Sequence, residues 1–133
     1  MRRILAISLS GALLGASTVR SIRKIHTTEE LERKCPPLIH NRDLTPKIQL
    51  HPFYQNLKQN LAGKRIVDIG CAAGSDIQRL VSDGALSANV FGVDNVSGCI
   101  DVALELVQHE PTLVHQFIAA DFTTDAGVRA VQE

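Results

Sequence analysis

Short apolar runs alternate with amphipathic stretches along the carboxyl-terminal part of the chain. The runs at 65–69, 89–93 and 115–120 are rich in β-branched and other apolar residues, as is typical of buried parallel strands. The first two runs are each followed by apolar residues at helical spacing, and a third helical stretch opens at 127–133. Since strands and helices that alternate in this way form right-handed crossovers, the pattern predicts an α/β fold with a parallel sheet.

Capping and stop residues indicate where the predicted helices begin and end. Ser75 or Asp76 is expected to cap the helix after the first strand, which ends near Gly84. Ser97 is expected to cap the helix after the second strand, and Pro111 closes that helix. The helices thus fill most of the chain between the strands.

Upstream of the first strand the pattern is shorter and more polar. Residues 27–30 resemble a helix start, which the Pro-Pro pair at 36–37 brings to an end. Residues 29–50 are therefore assigned as a connector, and residues 51–133 as the folded domain. A further short helix is predicted where apolar residues recur at helical spacing, at Tyr54, Leu57 and Leu61.

Residues 1–28 form a segment of a different kind, with five basic residues and no acid. The apolar run at 4–14 after two arginines fits a secretory signal. The hydroxyl residues and the lack of acids fit a mitochondrial presequence, and the late basic residues at 20–24 suit a presequence better than a secretory signal. An uncleaved apolar tail is the third alternative. We expect a cytoplasmic protein, with the mitochondrion as the alternative location.

The overall composition excludes several classes of function. Fourteen Lys and Arg balance fourteen Asp and Glu, so no positive field favours nucleic acid. The longest uncharged run, at 4–19, has sixteen residues, fewer than the roughly 18 to 20 apolar residues that a membrane span needs. Cys35, Cys71 and Cys99 lack the spacing of a metal site, so we expect no metal and reduced, buried thiols.

A glycine-containing turn follows the first predicted strand, with the sequence Asp68-Ile69-Gly70-Cys71-Ala72-Ala73-Gly74-Ser75. Gly70 and Gly74 permit backbone conformations that side chains forbid, and the N–H groups of the next helix favour an electron-rich ligand. Asp94 ends the second strand, twenty residues past Gly74, where a carboxylate can accept both hydroxyl hydrogens of a ribose. These features predict a site for a nucleoside-like ligand.

The spacing of the glycines disfavours a dinucleotide. A dinucleotide turn has the pattern G-x-G-x-x-G, which would require glycine where this chain has Ser75. An oxidoreductase that uses NAD is therefore the weakest of the functional hypotheses. The observed acid-x-G-x-A-x-G pattern resembles motif I of the class I S-adenosylmethionine-dependent methyltransferases. The strand end Gly92-Val93-Asp94 and the dipeptide Ala120-Asp121 resemble two further motifs of that family.

The resemblance implies a Rossmann-like parallel sheet and S-adenosylmethionine as the cofactor. It implies that Gly70, Ala72 and Gly74 pass under the methionine part and that Asp68 helps to hold the amino group. It also implies that Asp94 binds the ribose, while the adenine lies beside Asn95, Ala120 and Asp121. His51 and Tyr54 would then lie near the cofactor entrance, unless they serve only in packing.

A narrower resemblance is carried by residues 70–85 and 89–92, which include the stretch Gly-Ser-Asp-Ile and the later Asp-Gly-Ala. These residues are similar to fungal methyltransferases of natural-product pathways, including those that act on meroterpenoid acids. The resemblance implies a small-molecule acceptor and an O-methylation in secondary metabolism.

The strands that supply the acceptor side in this family lie beyond the third strand. We therefore expect a sheet truncated after that strand, and we name no catalytic residue. We interpret the chain as a fragment of a methyltransferase; alternatively it folds alone, or a second copy or a partner chain covers the open edge. A non-catalytic module that only binds S-adenosylmethionine is the competing function.

Overall fold

Three parallel strands form the centre of the protein. The computed structural model describes residues 27–40 and 45–132, so the alternatives for the amino-terminal segment concern residues outside the described part. The strands lie in the order β1 (Ile66–Ile69), β2 (Val90–Asp94) and β3 (Phe117–Ala119). Both pairings are parallel. The predicted α/β fold with a Rossmann-like parallel sheet is confirmed, and the sheet of the described residues has three strands.

The helices that follow β1 and β2 pack against one face of the sheet. These helices are α3 (Ser75–Ser82) and α4 (Ser97–Val107). Their apolar residues share one buried cluster with strand residues from the same sheet face, which include Ile66, Val90 and Phe117. Because successive side chains of a strand point to opposite faces of the sheet, every second strand residue lies on this face. The predicted helical faces are thus the ones that the core uses.

The predicted N-caps of these two helices are wrong. Gly74 precedes α3 as its N-cap in a left-handed conformation, and Val96 precedes α4. Neither makes a side-chain cap bond, and the serines that we expected as caps are the first helical residues. The chain turns sharply at Gly74, so α3 already begins at Ser75. With Ser75 as the N-cap, the helix would begin one residue later. Asp76 instead accepts a hydrogen bond from the Lys47 N–H at 2.8 Å.

The predicted helix start at residues 27–30 is confirmed by α1 (Thr28–Lys34). The Thr27 side chain accepts from the Glu30 N–H at 3.2 Å, and the Glu30 carboxylate accepts from the Thr27 N–H at 2.7 Å. This reciprocal pair is a capping box. The segment that we assigned as a connector therefore contains a helix, followed by a 3-10 turn at Pro36–His40.

The remaining helices are shorter. The helix predicted before the first strand is α2 (Tyr54–Lys58), with Tyr54 and Leu57 buried. Pro111 does not close α4, which already ends at Val107, and instead begins α5 (Pro111–Val114). Proline is favoured in the first turn of a helix because no N–H is needed there. The last helix, α6 (Asp125–Gln132), starts two residues before the predicted position.

The second face of the sheet is less covered than the first. Val67, Ile69, Phe91 and Ile118 point to this face and are half-buried, whereas Val93 between them is buried. None of the five belongs to a buried cluster of the described chain. In the described residues, no helix is long and apolar enough to cross a membrane.

Candidate functional site

The turn between β1 and α3 has an unusual backbone. Gly70, Ala72 and Gly74 all have positive φ angles, of 78°, 47° and 71°. Ala72 is the only non-glycine residue of the described chain with a positive φ. A left-handed conformation costs a residue with a side chain roughly 1–2 kcal/mol, so other contacts must stabilise Ala72.

The carboxylate of Asp94 provides one such contact. Its Oδ2 accepts a hydrogen bond from the Ala72 N–H at 2.9 Å, and its Oδ1 accepts from the Val96 N–H at 2.9 Å. Asp94 is only 8% exposed. The carboxylate therefore joins the turn after β1 to the start of α4, because each of its oxygens bonds to a different segment.

Backbone hydrogen bonds attach the same turn to β2. The N–H groups of Gly70 and Cys71 both donate to the Val93 carbonyl, at 2.8 and 3.2 Å. The Cys71 thiol is buried, and burial together with the nearby carboxylates of Asp68 and Asp94 raises its pKa. Asp68 itself is 2% exposed and pairs in register with Gly92. The two predicted carboxylates are thus both close enough to the Cys71 thiol to raise its pKa, at the carboxyl end of the sheet.

Two glycines make room for the Phe117 ring beneath the turn. A Cβ at Gly74 would lie 2.5 Å from the ring Cε1 atom. A Cβ at Gly92 would lie 2.9 Å from the ring Cδ1 atom and 2.5 Å from the Ile77 Cδ1 atom. We did not predict this role of Gly92 and Phe117, although a glycine inside a strand indicates close approach.

The third predicted motif lies at the same edge of the sheet. The Ala120 N–H donates to the Asp94 carbonyl at 2.9 Å, which attaches the end of β3 to the end of β2. Asn95 is exposed beside it. The Asp121 Oδ1 accepts from the Thr123 hydroxyl at 2.6 Å and from the Thr123 N–H at 2.9 Å. These bonds lower the pKa of Asp121 and place it in a turn ahead of α6.

The predicted site residues therefore converge. Those nearest one another are Asp68, Gly70, Ala72, Gly74 and Asp94, and the residues Asn95, Ala120 and Asp121 lie where β2 and β3 end. Ligands bind at the carboxyl ends of parallel strands in open α/β sheets. Among the described residues, no cluster of His, Cys, Asp or Glu could hold a metal ion.

Several curated fungal proteins are similar to this chain. It is 34% identical over 80 residues to the O-methyltransferase atr3 of Stereocaulon alpinum, a match that covers 59% of this chain and 23% of that protein. It is 36% identical over 70 residues to the methyltransferase adrK of Penicillium rubens, which covers 53% of this chain and 25% of that protein. It is 31% identical over 101 residues to the Asnovolin E/Chermesin D methyltransferase nvfJ of Aspergillus novofumigatus. This match covers 75% of this chain and 36% of that protein.

The chain is thus similar to curated fungal methyltransferases. It spans between about a quarter and a third of the length of these curated relatives. No protein-family model matches the chain, and no solved structure matches it significantly.

The geometry of the turn fits the cofactor that methyltransferases generally use. Gly70 is exposed and has no side chain to cover the backbone, while Gly74 and Gly92 leave the turn close to the sheet. The Asp94 carboxylate is held in place by its two N–H donors, and each of its oxygens has a second lone pair for a ribose hydroxyl. The Asp94 carboxylate thus has acceptor capacity suited to the hydroxyl groups of a ribose.

Tyr54 lies away from this end of the methyltransferase-like sheet. Its hydroxyl donates to the Asp83 carboxylate, and burial followed by the Asp83 hydrogen bond raises the Tyr54 pKa. Asp83 follows the eight-residue helix α3, whose length of roughly 12 Å separates it from the turn at Gly74. The packing interpretation of Tyr54 is therefore confirmed.

The expectation of reduced thiols is wrong for two of the three cysteines. Cys35 and Cys99 form a disulfide with a Cα–Cα distance of 4.6 Å, whereas Cys71 is free and buried as expected. The partners are 64 residues apart in sequence, so spacing could not reveal the pair. They meet because α1 packs against the amino-terminal end of α4.

Proposed function

We propose that this chain is the S-adenosylmethionine-binding part of a methyltransferase. The proposal rests chiefly on the Asp94 carboxylate, which contacts the Ala72 N–H of a turn with three positive φ angles. In such a site the backbone of Gly70, Ala72 and Gly74 would lie under the methionine part. The sulfonium of the cofactor supplies an activated methyl group, so the protein mainly positions the reactants.

The other predicted residues have complementary tasks in this proposal. Asp68 would hold the amino group, directly or through water, since it is buried at the end of β1. Asp94 would accept the ribose hydroxyls. Asn95, Ala120 and Asp121 would contact the adenine, and the exposed position of Asp121 leaves its carboxylate accessible to an amine.

We further propose a small-molecule acceptor, methylated on oxygen in secondary metabolism. Support comes from the names of the relatives, which include O-methyltransferases and a protein described as an Asnovolin E/Chermesin D methyltransferase. We assign no catalytic base to this chain, because the acceptor side is not represented among its described residues.

The second candidate is a module that binds the cofactor without transferring its methyl group. This function requires only the described turn and the Asp94 carboxylate, which would hold the cofactor without taking part in the transfer. A turnover assay with a radiolabelled methyl donor and an extract of fungal phenols and carboxylic acids distinguishes the two. Labelled product supports the enzyme, and binding without product supports the module.

Calorimetry tests the binding proposal directly. We expect the full chain to bind S-adenosylhomocysteine and not NAD. Asp94→Ala should weaken binding by about 1.5–3 kcal/mol, the value of hydrogen bonds to a charged group. Asp101→Ala is the matched control, because Asp101 is an exposed carboxylate on α4. Unchanged affinity in Asp94→Ala, or tighter binding of NAD, would refute the assignment.

A further inference from the structure

A buried disulfide connects the amino-terminal helix to the helix that follows Asp94. Cys35 is the C-cap of α1, and Cys99 is the third residue of α4. Both are fully buried, with 0% exposure. The part of the chain between them contains β1, the glycine-containing turn and β2. The bond therefore fixes α1 against the elements that carry the candidate site.

The packing around the disulfide extends to the turn itself. One buried cluster contains the two cysteines together with residues of α1, the following 3-10 turn, the site turn and α4, namely Leu31, Leu38, Ala72, Ala73 and Val102. Ala72 is also the residue with the strained backbone and the hydrogen bond to Asp94. Because packed neighbours are what keep a strained residue in place, α1 supports the conformation of the turn.

The backbones of α1 and α4 approach each other closely at Gly98. A Cβ at Gly98 would lie 2.0 Å from the Lys34 carbonyl oxygen, so only glycine lets the two helices approach this closely. Lys34 also forms an ion pair with Glu105 at 3.4 Å. This pair is partly exposed and contributes little to stability on its own. The covalent bond is therefore the strongest restraint on α1.

We propose that the Cys35–Cys99 disulfide is a redox latch that controls cofactor binding through α1. In the reduction step the S–S bond breaks, and each sulfur takes up one electron and one proton. The electrons and protons come from a dithiol of the thioredoxin class, which is oxidised to its own disulfide. Because both sulfurs are buried, the dithiol reaches them only when α1 opens locally.

Release of α1 uncovers Ala72 and Ala73 and removes the packing that holds the turn. The bound conformation of the turn is then only one of several, and the cofactor must select it at a cost in affinity. Reduction thus lowers the affinity for the cofactor without changing any residue that would contact it. This inference rests on the proposed function of the site.

The test compares the oxidised and the reduced full chain. The chain is reduced with excess dithiothreitol, complete reduction is confirmed by mass as the gain of two hydrogens, and S-adenosylhomocysteine binding is measured by calorimetry. We expect about tenfold weaker binding after reduction, within the usual range of coupling between two sites. Hydrogen exchange is followed in both states at residues 28–34 and 70–74, and it should become faster in both segments.

Cys35→Ser is the matched control, because it removes the latch without adding a reductant. Its affinity should equal that of the reduced chain, and dithiothreitol should not change it further. Hydrogen exchange at the central strand, residues 90–94, should stay unchanged in the variant and in the reduced wild type. Faster exchange there as well would show that the whole chain unfolds, which overturns a local latch. Cys71 is retained throughout, so an effect of dithiothreitol on the wild type alone is due to the disulfide.

Each other outcome has a separate meaning. Equal affinity in the two redox states overturns the proposed coupling, and unchanged hydrogen exchange at 28–34 after complete reduction overturns the latch. Absence of S-adenosylhomocysteine binding in both states overturns the proposed function of the site. In that case the exchange data still decide whether the disulfide holds α1.

Discussion

The Asp94 carboxylate accepts a hydrogen bond from the Ala72 N–H across the gap between two neighbouring strand ends, at 2.9 Å. Ala72 has a φ of 47°, a conformation that alanine rarely adopts. The bond to a charged acceptor offsets this strain, since such bonds are the strongest in proteins. One residue therefore holds the turn in shape and supplies the acceptor that we propose for the ribose.

Removal of that carboxylate should destabilise the protein even without a ligand. We expect Asp94→Ala to lower the free energy of unfolding by about 1–3 kcal/mol, because the buried Ala72 N–H and the partly buried Val96 N–H lose their acceptor. Urea denaturation measures the change. The control Asp101→Ala, on the exposed side of α4, should stay within about 0.5 kcal/mol of the wild type. Equal stability of the two variants would contradict the role of Asp94 in the turn.

Gly92 should not tolerate even a methyl group. Gly92→Ala would place a Cβ 2.5 Å from the Ile77 Cδ1 atom, so the core must shift. We expect a loss of about 1–3 kcal/mol in the free energy of unfolding, as for other overpacked cores. Gly63→Ala is the control, because there the nearest atom belongs to the exposed Asn60 side chain. A wild-type urea midpoint for Gly92→Ala would show that the described packing is wrong.

Reduction of the disulfide should lower stability as well as affinity. The bond links residues 64 apart, and closing a loop of that length stabilises a folded chain by roughly 4 kcal/mol. We expect a loss of this size between the oxidised and the reduced chain in urea denaturation. Cys35→Ser should show the same loss and no response to reductant. Coincident denaturation curves for both redox states would contradict the prediction.

The Tyr54–Asp83 contact should make stability depend on pH. Partial burial raises the pKa of Asp83, but the Tyr54 hydroxyl and the charges of Arg79 and Lys58 outweigh burial and hold this pKa below its usual value. A carboxyl with a lowered folded-state pKa stabilises the protein above its unfolded pKa of about 4 and loses that effect as the pH falls through the folded pKa.

Tyr54→Phe tests this dependence. The variant removes the hydroxyl donor, so the Asp83 pKa should rise and the free energy of unfolding at pH 7 should fall by about 1–2 kcal/mol. The difference from the wild type should shrink as the pH falls from about 4 through the lowered folded-state pKa of wild-type Asp83, below which the carboxyl is protonated in both proteins. Urea denaturation at several pH values measures it, and a difference independent of pH would rule out the Asp83 carboxylate as the partner.

Local signals in the sequence were sufficient for the sheet, the helices on its covered face and the convergence of Asp68 and Asp94. These depend on periodicity within about ten residues and on the rule that parallel strands end at one edge. They also include the capping box of α1, whose two residues are three apart.

Only the tertiary structure decided the other features. The Cys35–Cys99 bond, the Tyr54–Asp83 contact and the ring of Phe117 against Gly74 each join residues that are far apart in sequence. Even the N-cap of α3 depended on the tertiary structure, because Gly74 takes a left-handed conformation that the packed turn imposes. The sequence determined which segments form elements and where their polar ends meet, since those are local or topological matters. Which side chains touch depends on how the whole chain packs.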